Sequence, residues 1–313
     1  MSQLLSIIIV SYNVRALLKK CLTHTIHHAT GLQYEIWVID NGSTDGTADM
    51  LKNEFSDLHL ILNKDNKGFA KANNQALRQC RGTFTLLLNP DAFISQDTLP
   101  KTLAYMKENQ NCAILGALLV SDTGEPQPSA RKFLSVKQQF YKFTGLEKYF
   151  NNGNAILNEI QIENKPVTVD WVPGAYFLVR ASIFKEIGYL DERFFLYAEE
   201  MDFCYQVKKK LKKDIICYPF TKVIHLSGAS AKKTRKKALN NGHQSLEIHL
   251  KSELQYFQKN SGTRSMILVA SIQSLAYLIS VIKNLCLQKK EKVNDGVFAL
   301  KTILRTVRLL TIK

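Results

Sequence analysis

Short apolar runs that alternate with helical patterns fill the first 90 residues of the chain. The runs Leu4 to Val10, Tyr34 to Ile39, Leu58 to Leu62 and Thr83 to Leu88 have the length and composition of buried strands. The stretches between them place apolar residues at helical spacing. Strands that alternate with helices form parallel sheets covered on both faces, so the pattern predicts an α/β fold with a mostly parallel central sheet.

The second part of the chain is less regular. Residues 121–165 are rich in Gly, Pro, Asn and Ser, which predicts a long irregular segment with one helix. Beyond it, the residue pattern predicts strands over 167–172, 175–179 and 215–223 and helices over 181–187 and 199–210.

Positive charge is concentrated at the end of the chain. Of the net charge of +15, most lies in residues 231–313, where sixteen Lys and Arg face four acidic residues. We therefore predict a catalytic domain over 1–230, with halves 1–110 and 111–230, and a basic helical extension over 231–313. Such asymmetry indicates an anionic partner, either nucleic acid or an acidic membrane surface. Aromatic residues are not interleaved with the basic run at 232–237, which argues against nucleic acid.

An uncharged stretch lies inside this extension. Residues 265–282 contain no charged side chain and are bracketed by Arg264 and Lys283. Their number is at the lower limit for a membrane span, and Ser and Gln residues interrupt them. We predict a helix that lies in the membrane interface or enters one leaflet. The alternative is a hydrophobic helix that packs on the domain or in a homodimer.

The cysteines and the amino-terminal run indicate the compartment. Six cysteines are scattered without the close spacing of a zinc site, and we expect reduced thiols rather than disulfides. Leu4 to Val10 lacks the charged start and cleavage site of a secretory leader. These features favour the cytosol.

Polar clusters follow three of the predicted strands, where ligands bind in an open parallel sheet. Ser11-Tyr12-Asn13 follows the first strand, and Asp40 ends the second. Asp40 suits a nucleobase or ribose contact, or alternatively an Asx turn. Asn89-Pro90-Asp91 follows the fourth strand and suits a hard divalent cation on a diphosphate; the alternative is a turn with Asp91 as a helix cap.

Seven segments in sequence carry a family resemblance. They are SIIIVSYN, VIDNGSTDGT, NKGFAKANNQAL, LLLNPDA, PSARKFLS, WVPGAYFLVRASIFKEIGYLDERFFLYAEEMDFCYQ and VIHLSGAS. In this order the segments, within about residues 5–230, resemble family 2 inverting glycosyltransferases, and especially their rhamnosyltransferase-like subgroup. The resemblance implies a glycosyltransferase A-type nucleotide-sugar-binding fold.

The resemblance also implies roles for individual residues. The implied nucleotide-sugar contacts are Ser11, Tyr12, Asn13, Asp40, Asn66, Gly68, Asn73, Asn89 and Asp91. The implied acceptor contacts are Trp171, Gly174, Ala175 and Glu199. Asp91 and His225 would hold a divalent cation, Mg²⁺ or Mn²⁺. His225 has an alternative interpretation as a half-buried strand residue, and Trp171 as a core residue.

The implied general base is Glu200. The family usually has Asp at this position, so the substitution keeps a carboxylate and lengthens its arm by one methylene. Alternatively, Glu199, Glu200 and Asp202 favour a helix amino terminus through the macrodipole.

These expectations define a function and its alternatives. We expect inverting transfer of a sugar, rhamnose as the best guess, from a deoxythymidine diphosphate donor to a lipid-linked saccharide in bacterial cell-surface polysaccharide or lipopolysaccharide synthesis. The expected location is the cytoplasmic face of the inner membrane, in peripheral or monotopic form. The alternatives are a non-catalytic nucleotide-sugar-binding scaffold and, less favoured, a nucleic-acid binder.

Overall fold

The computed structural model of the protein describes residues 4–146, 164–226 and 241–312. Two compact units are present. The first contains described residues up to 132 together with 164–192 and 199–226. The second contains 133–146, 193–198 and 241–312. The predicted domain boundary at 230 and the basic run at 232–237 lie outside the described residues.

The first unit is built on one mixed sheet. Its strands are β1 (Leu5–Ser11), β2 (Tyr34–Asp40), β3 (His59–Leu62), β4 (Phe84–Leu88), β5 (Ala92–Phe93), β6 (Cys112–Val120), β7 (Val167–Thr168), β8 (Tyr176–Arg180) and β9 (Asp214–His225). Their order is β3-β2-β1-β4-β8-β6-β9-β5, and β7 pairs with β9. Strands β5, β7 and β8 pair antiparallel and the other pairs are parallel, so the predicted mostly parallel α/β sheet is confirmed.

Helices cover the sheet. They are α1 (Arg15–His28), α2 (Thr47–Glu54), α3 (Phe69–Leu77), α4 (Thr98–Glu108), α6 (Ser182–Ile187) and α7 (Glu199–Gln206), which a π-helical turn, Val207–Leu211, continues. The second unit holds α5 (Val136–Thr144). Every residue of β1 and of β4 is buried, as expected for strands covered on both faces.

Most predicted elements are present, but several differ from the prediction. Strand β5, helix α4 and strand β6 were not predicted; the continuous apolar run of β6, CAILGALLV, fits a buried helix as well as a strand. Strand β7 contains two residues instead of the predicted six. The helix predicted over 199–210 is α-helical only to Gln206. All six cysteines are free thiols, and Cys21, Cys112, Cys204 and Cys217 are buried.

The second unit is helical. It contains α5, α8 (Asn241–Cys286), which a non-helical Gly262 interrupts, and α9 (Lys290–Thr311). Leu250, Leu254, Phe257, Met266, Val269, Ala270, Ala299 and Ile303 form its buried core. By length and composition, one described helix, His243–Cys286, could cross a membrane. The predicted helical character of the extension is thus confirmed for its described residues.

Candidate functional site

Several predicted site residues lie at one edge of the sheet. The carboxyl ends of β1, β2 and β4 meet there, because these strands are parallel neighbours. Strand β8 runs the other way, so its first residue, Tyr176, pairs with Leu88 at the end of β4. Strand β9 is parallel to β6 and brings His225 to the same edge, where it pairs with Ala92. The topology therefore gathers the polar residues that follow separate strands.

Ser11 and Asp40 are partners in the ladder at the ends of β1 and β2. Both are buried, and Ser11 Oγ and Asp40 Oδ1 have no hydrogen-bond partner among the described residues. Asp40 Oδ2 accepts from the Ser43 amide at 3.4 Å. Buried polar atoms are normally paired, so these two atoms are available to a ligand.

Asn13 and Asp45 fix the turns that follow β1 and β2. Asn13 has a positive φ of 55°, its amide donates to Ser43 Oγ at 2.9 Å, and its Oδ1 accepts from the Thr44 amide at 2.8 Å. Asp45 accepts from the Arg15 amide at 2.9 Å and from the Thr47 hydroxyl. Tyr12, between these groups, is exposed. The side-chain oxygen of Asn13 thus shapes the turn, and Tyr12 is the residue of this cluster that presents a ring to solvent.

The loop before α3 is closed by a network of asparagines. Asn41 Nδ2 donates to Asn66 Oδ1 at 2.8 Å, and Asn66 Oδ1 also accepts from the Gly68 amide at 2.9 Å. Gly68 has φ 82°, which an L side chain rarely adopts. Asn73 is buried on α3 and donates to the Phe69 carbonyl. Asn66, Gly68 and Asn73 therefore shape the loop that flanks Asp40.

Asp40 and Asp45 have opposite pKa shifts, which gives a paired test of stability. Burial raises the pKa of Asp40, whereas hydrogen bonds from Thr47 and Arg15 outweigh desolvation and lower the pKa of Asp45. A raised folded pKa costs stability once the pH exceeds the unfolded value, and a lowered one contributes stability above the unfolded value.

We expect Asp40→Asn to raise the free energy of unfolding at neutral pH by about 1 kcal/mol, because the neutral amide avoids the buried charge. Asp45→Asn should lower it. Thermal unfolding without ligand at neutral pH measures both, and below both folded pKa values the differences should shrink. Equal shifts in one direction would show that the two carboxylates do not differ in environment.

Asp91 and His225 face each other across β5 and β9. Asp91 is buried after the turn in which the Asn89 carbonyl accepts from the Ala92 amide, and its own carbonyl accepts from the Leu226 amide. A strand follows, so the alternative of Asp91 as a helix cap is wrong. His225 Nε2 lies 3.5 Å from Asp91 Oδ1.

Gln127 orients the histidine ring. Its Nε2 donates to the His225 carbonyl at 2.8 Å, which leaves its Oε1 as the acceptor 3.3 Å from His225 Nδ1. Nδ1 then carries the proton, and in the neutral ring the lone pair of Nε2 faces the Asp91 carboxylate. A cation between the two groups would contact both Nε2 and the Asp91 carboxylate.

These residues fit a divalent cation in part. Histidine nitrogen and carboxylate oxygen are ligands of Mn²⁺ and related ions, and the contact from Gln127 is the outer-shell bond that metal-ligating histidines make. No cluster of three or more His, Cys, Asp or Glu that could hold a metal occurs within the described ranges. Asp91 and His225 would supply two ligands, and a bound diphosphate would have to supply others.

The third cluster centres on Glu200, at the start of α7. Glu200 is half-buried, and its Oε1 accepts from the Gly174 amide at 3.3 Å. Its Oε2 is shielded and has no hydrogen-bond partner in the described part of the chain. Burial raises the pKa of Glu200, and hydrogen bonds from its own amide and the Gly174 amide, the charge of Arg131 and a hydrogen bond with the Glu199 side chain offset part of this effect. A carboxylate with a raised pKa is a stronger base than usual.

Gly174 connects Glu200 to the start of α3. A Cβ at this position would lie 3.3 Å from Glu200 Oε1 and 3.7 Å from the Phe69 ring, so the candidate base and the first residue of α3 both lie beside Gly174. The next residue, Ala175, is buried, and its carbonyl accepts from the Asn89 amide at 3.2 Å. Glu199 is buried beside Glu200. The candidate base, Asn89 and the Gly68 loop are thus joined through two residues.

Trp171 is held by Arg131. Their backbones pair, the Arg131 guanidinium carbon lies 5.4 Å from the centre of the indole ring, and Trp171 Nε1 donates to the Lys132 carbonyl at 3.0 Å. Trp171 is half-buried, so it is not a core residue. Arg131 places its cation close to both Trp171 and the charge of Glu200.

The backbone before α7 is strained. Tyr197 and Ala198 have φ of 69° and 68°, which costs a non-glycine residue roughly 1–2 kcal/mol. Two such residues immediately before Glu199 and Glu200 fix how the chain enters this helix, and strain of this kind clusters at functional sites.

Sequence reasoning missed Gln127 and Arg131. Both lie in the segment interpreted as irregular, although PSARKFLS contains Arg131. Gln127 lies between Pro126 and Pro128, and Arg131 lies three residues after Pro128. Neither carries a strong local signal, because its partner is distant along the chain; Gln127 and His225 are 98 residues apart.

The fold and the family agree. The chain resembles the solved structure of the mannosyltransferase PcManGT from Pyrobaculum calidifontis, in complex with GDP-Man and Mn²⁺, with a TM-score of 0.55 and 13% identity over 98% of this chain and 88% of that one. The protein therefore has a glycosyltransferase A-like fold. Residues 6–188 match Glycosyl transferase family 2, and the chain belongs to that family.

Two of the relatives are a rhamnosyltransferase and a hexosyltransferase. The N-acetylglucosaminyl-diphospho-decaprenol L-rhamnosyltransferase of Mycobacterium tuberculosis is 25% identical over 214 residues, which are 64% of this chain and 69% of that protein. The low-salt glycan biosynthesis hexosyltransferase Agl10 of Haloferax volcanii is 27% identical over 66% of this chain and 62% of its own length. The resemblance to family 2 glycosyltransferases with a rhamnosyltransferase-like relative is confirmed.

Proposed function

We propose that this glycosyltransferase moves a sugar, with inversion, from a nucleoside diphosphate donor to a saccharide carried on a lipid. The observation that carries the proposal is the half-buried Glu200, whose Oε1 is fixed by Gly174 and whose Oε2 has no hydrogen-bond partner among the described residues. Gly174 joins it to Phe69 and, through Ala175, to the turn that contains Asp91. A general base that is linked in this way to a diphosphate site is the minimum that an acceptor hydroxyl needs to displace the diphosphate directly.

The donor half of the site holds the nucleotide. Asp40 and Ser11 offer unpaired oxygens to the base or ribose, and Tyr12 offers a ring. Asn13, Asn66, Gly68 and Asn73 hold the surrounding turns. Asn89 and Asp91 lie at the end of the neighbouring strand, where the diphosphate would bind. This order along the edge follows the order of the strands.

Asp91 and His225 would hold a divalent cation, Mg²⁺ or Mn²⁺. Such a cation, when bound, neutralises charge on the departing diphosphate. Gln127 keeps His225 in the tautomer that a metal requires. In this proposal Asp91 directly precedes β5 and His225 ends β9, so the pairing of β5 with β9 sets the separation of the two ligands.

Glu200 acts on the acceptor. Its Oε2 accepts the proton of the acceptor hydroxyl while that oxygen forms a bond to the anomeric carbon, and the bond from that carbon to the diphosphate oxygen breaks. The hydroxyl attacks from the face opposite the leaving group, so one displacement inverts the configuration. Trp171, with Gly174, Ala175 and Glu199 nearby, would bound the acceptor sugar.

The relatives favour a particular substrate class. The mycobacterial relative is named for L-rhamnosyl transfer to a diphospho-decaprenol saccharide, which supports rhamnose and a lipid-linked acceptor here. We further propose a catalytic domain over 1–230 that works at the cytoplasmic face of the inner membrane in peripheral or monotopic form. A non-catalytic scaffold that binds the same donor is the rival, since Glu200 replaces the usual Asp.

Thermal unfolding with a panel of nucleoside diphosphates and their sugars tests the donor site. Ligand at about 100 times its Kd stabilises the native state by about 2.7 kcal/mol. We expect one base to stabilise the protein selectively, deoxythymidine diphosphate first, and more with Mn²⁺ than with chelator. Sugar transfer to a lipid-linked acceptor then separates an enzyme from a scaffold.

Absence of any shift with a well-folded sample would contradict the donor site. Equal shifts with Mn²⁺ and with chelator would contradict the role of Asp91 and His225. A selective shift without transfer to any lipid-linked saccharide would favour the scaffold.

A further inference from the structure

The part of α8 after Gly262 exposes an unusual amount of apolar surface. Seven large aliphatic side chains are 44–60% exposed. They are Ile267, Leu268, Leu275, Leu278, Ile279, Ile282 and Leu285, and we call them the exposed apolar face. Scattered exposed leucines are ordinary, but so many along one stretch of helix indicate an interaction site.

The opposite side of the same helix is already occupied. Met266, Val269, Ala270, Gln273 and Val281 are buried in the second unit. The helix is therefore apolar on two sides, and only one of them contributes to the core. Folding of this unit does not explain the exposed apolar face.

Exposed cations flank the exposed apolar face in the sequence and also lie on α9. No charge lies between Arg264 and Lys283 in the sequence. On α9, the side chains of Lys301, Arg305 and Arg308 are exposed. These cations lie close in sequence to Leu304, Leu309 and Ile312, which are 62–67% exposed. Aliphatic groups interleaved with Lys and Arg are typical of helices that lie at an anionic membrane surface.

A polar network argues against a helix that crosses the bilayer. The Glu253 carboxylate is buried and accepts hydrogen bonds from Gln139 Nε2 and, at 2.9 Å, from Gln273 Nε2. Gln273 lies within the uncharged stretch. Insertion of the stretch across hydrocarbon would either break this bond or draw a carboxylate into the membrane, and both are costly.

We propose that the exposed apolar face and the exposed side of α9 bind an acidic phospholipid bilayer, with the residues after Gly262 lying in its plane. The aliphatic side chains enter the headgroup boundary, and the cations contact the acidic lipids. The inference concerns the second unit alone and does not rest on sugar transfer.

Flotation of the full chain with vesicles measures the binding. We expect binding to vesicles of equal parts phosphatidylcholine and phosphatidylglycerol, and much less to phosphatidylcholine alone. Leu275→Gln with Ile279→Gln should weaken partitioning about a hundredfold, since two aliphatic side chains leave the membrane. Phe220→Gln, which changes an exposed apolar residue of the first unit, is the matched control and should bind as wild type.

The orientation of the exposed apolar face toward the membrane is measured separately. Cys286 is exposed near the end of the apolar face, whereas four other cysteines are buried and Cys80 is partly buried. An environment-sensitive dye on Cys286, with Cys80→Ser in the background, should shift to shorter wavelength with acidic vesicles. Alkaline carbonate should release the bound protein.

Three outcomes would overturn the proposal. They are equal binding to neutral vesicles, resistance to carbonate as for a spanning helix, and a dimer in light scattering that the Leu275 and Ile279 changes dissociate. The nucleotide thermal shift of the Leu275 and Ile279 variant separates these results from failure of the donor site, because both changes lie in the second unit.

Discussion

Glu200→Gln is expected to lower the rate of sugar transfer about a thousandfold while donor binding is retained. Glutamine keeps an oxygen for the Gly174 amide but cannot accept the acceptor proton. Turnover with saturating donor and acceptor measures the loss, and the thermal shift with donor measures binding. Glu186→Gln, which changes an exposed glutamate on α6, is the control and should leave both unchanged.

The pH dependence identifies the base. Burial raises the pKa of Glu200, and the base must be ionised, so the rate should fall as the pH drops through that raised pKa. This acidic limb should lie above the ordinary glutamate value of about 4.3. The residual rate of Glu200→Gln should lack the limb. An unchanged limb in this variant would assign it to another group.

Glu200→Asp tests the extra methylene. The family usually has Asp at this position, but here Gly174 is placed to meet the longer side chain. We expect a loss of about ten- to a hundredfold, because the shorter arm moves the base away from the acceptor hydroxyl. A gain in rate would indicate that the acceptor site is still built for Asp.

The site residues that the sequence predicts well lie at the ends of strands. Ser11, Asp40 and Asn89 each end or follow an apolar run, and parallel pairing brings those ends to one edge whatever the details of the loops. Gln127 and Arg131 act through residues far along the chain, His225 and Trp171. No local pattern encodes such a contact.

The helices of the second unit show a different limit. Periodicity identifies the helix after Gly262, but its apolar residues occupy two faces. Spacing alone therefore does not indicate which face joins the core. The hydrogen bond from Gln273 to Glu253 settles the buried side, and it depends on tertiary packing that the sequence does not reveal.

Asp91→Asn should remove most of the metal dependence of donor binding. It should also lower kcat/KM about a thousandfold. The amide has the size of the carboxylate and no charge, so the buried turn should be kept. With Mn²⁺, the thermal shift caused by nucleoside diphosphate should fall to the value seen with chelator. Asp97→Asn is the control, because Asp97 is paired with Lys101 near the surface.

A substitution of Gln127 tests the same metal site with a smaller expected effect. Gln127→Leu removes the contact that orients His225, and loss of an outer-shell partner costs about ten- to a hundredfold in metal affinity. The concentration of Mn²⁺ that gives half of the thermal shift should rise by that factor. If Asp91→Asn keeps the full shift with Mn²⁺, the cation is held elsewhere, and Asp91 and His225 do not form its site.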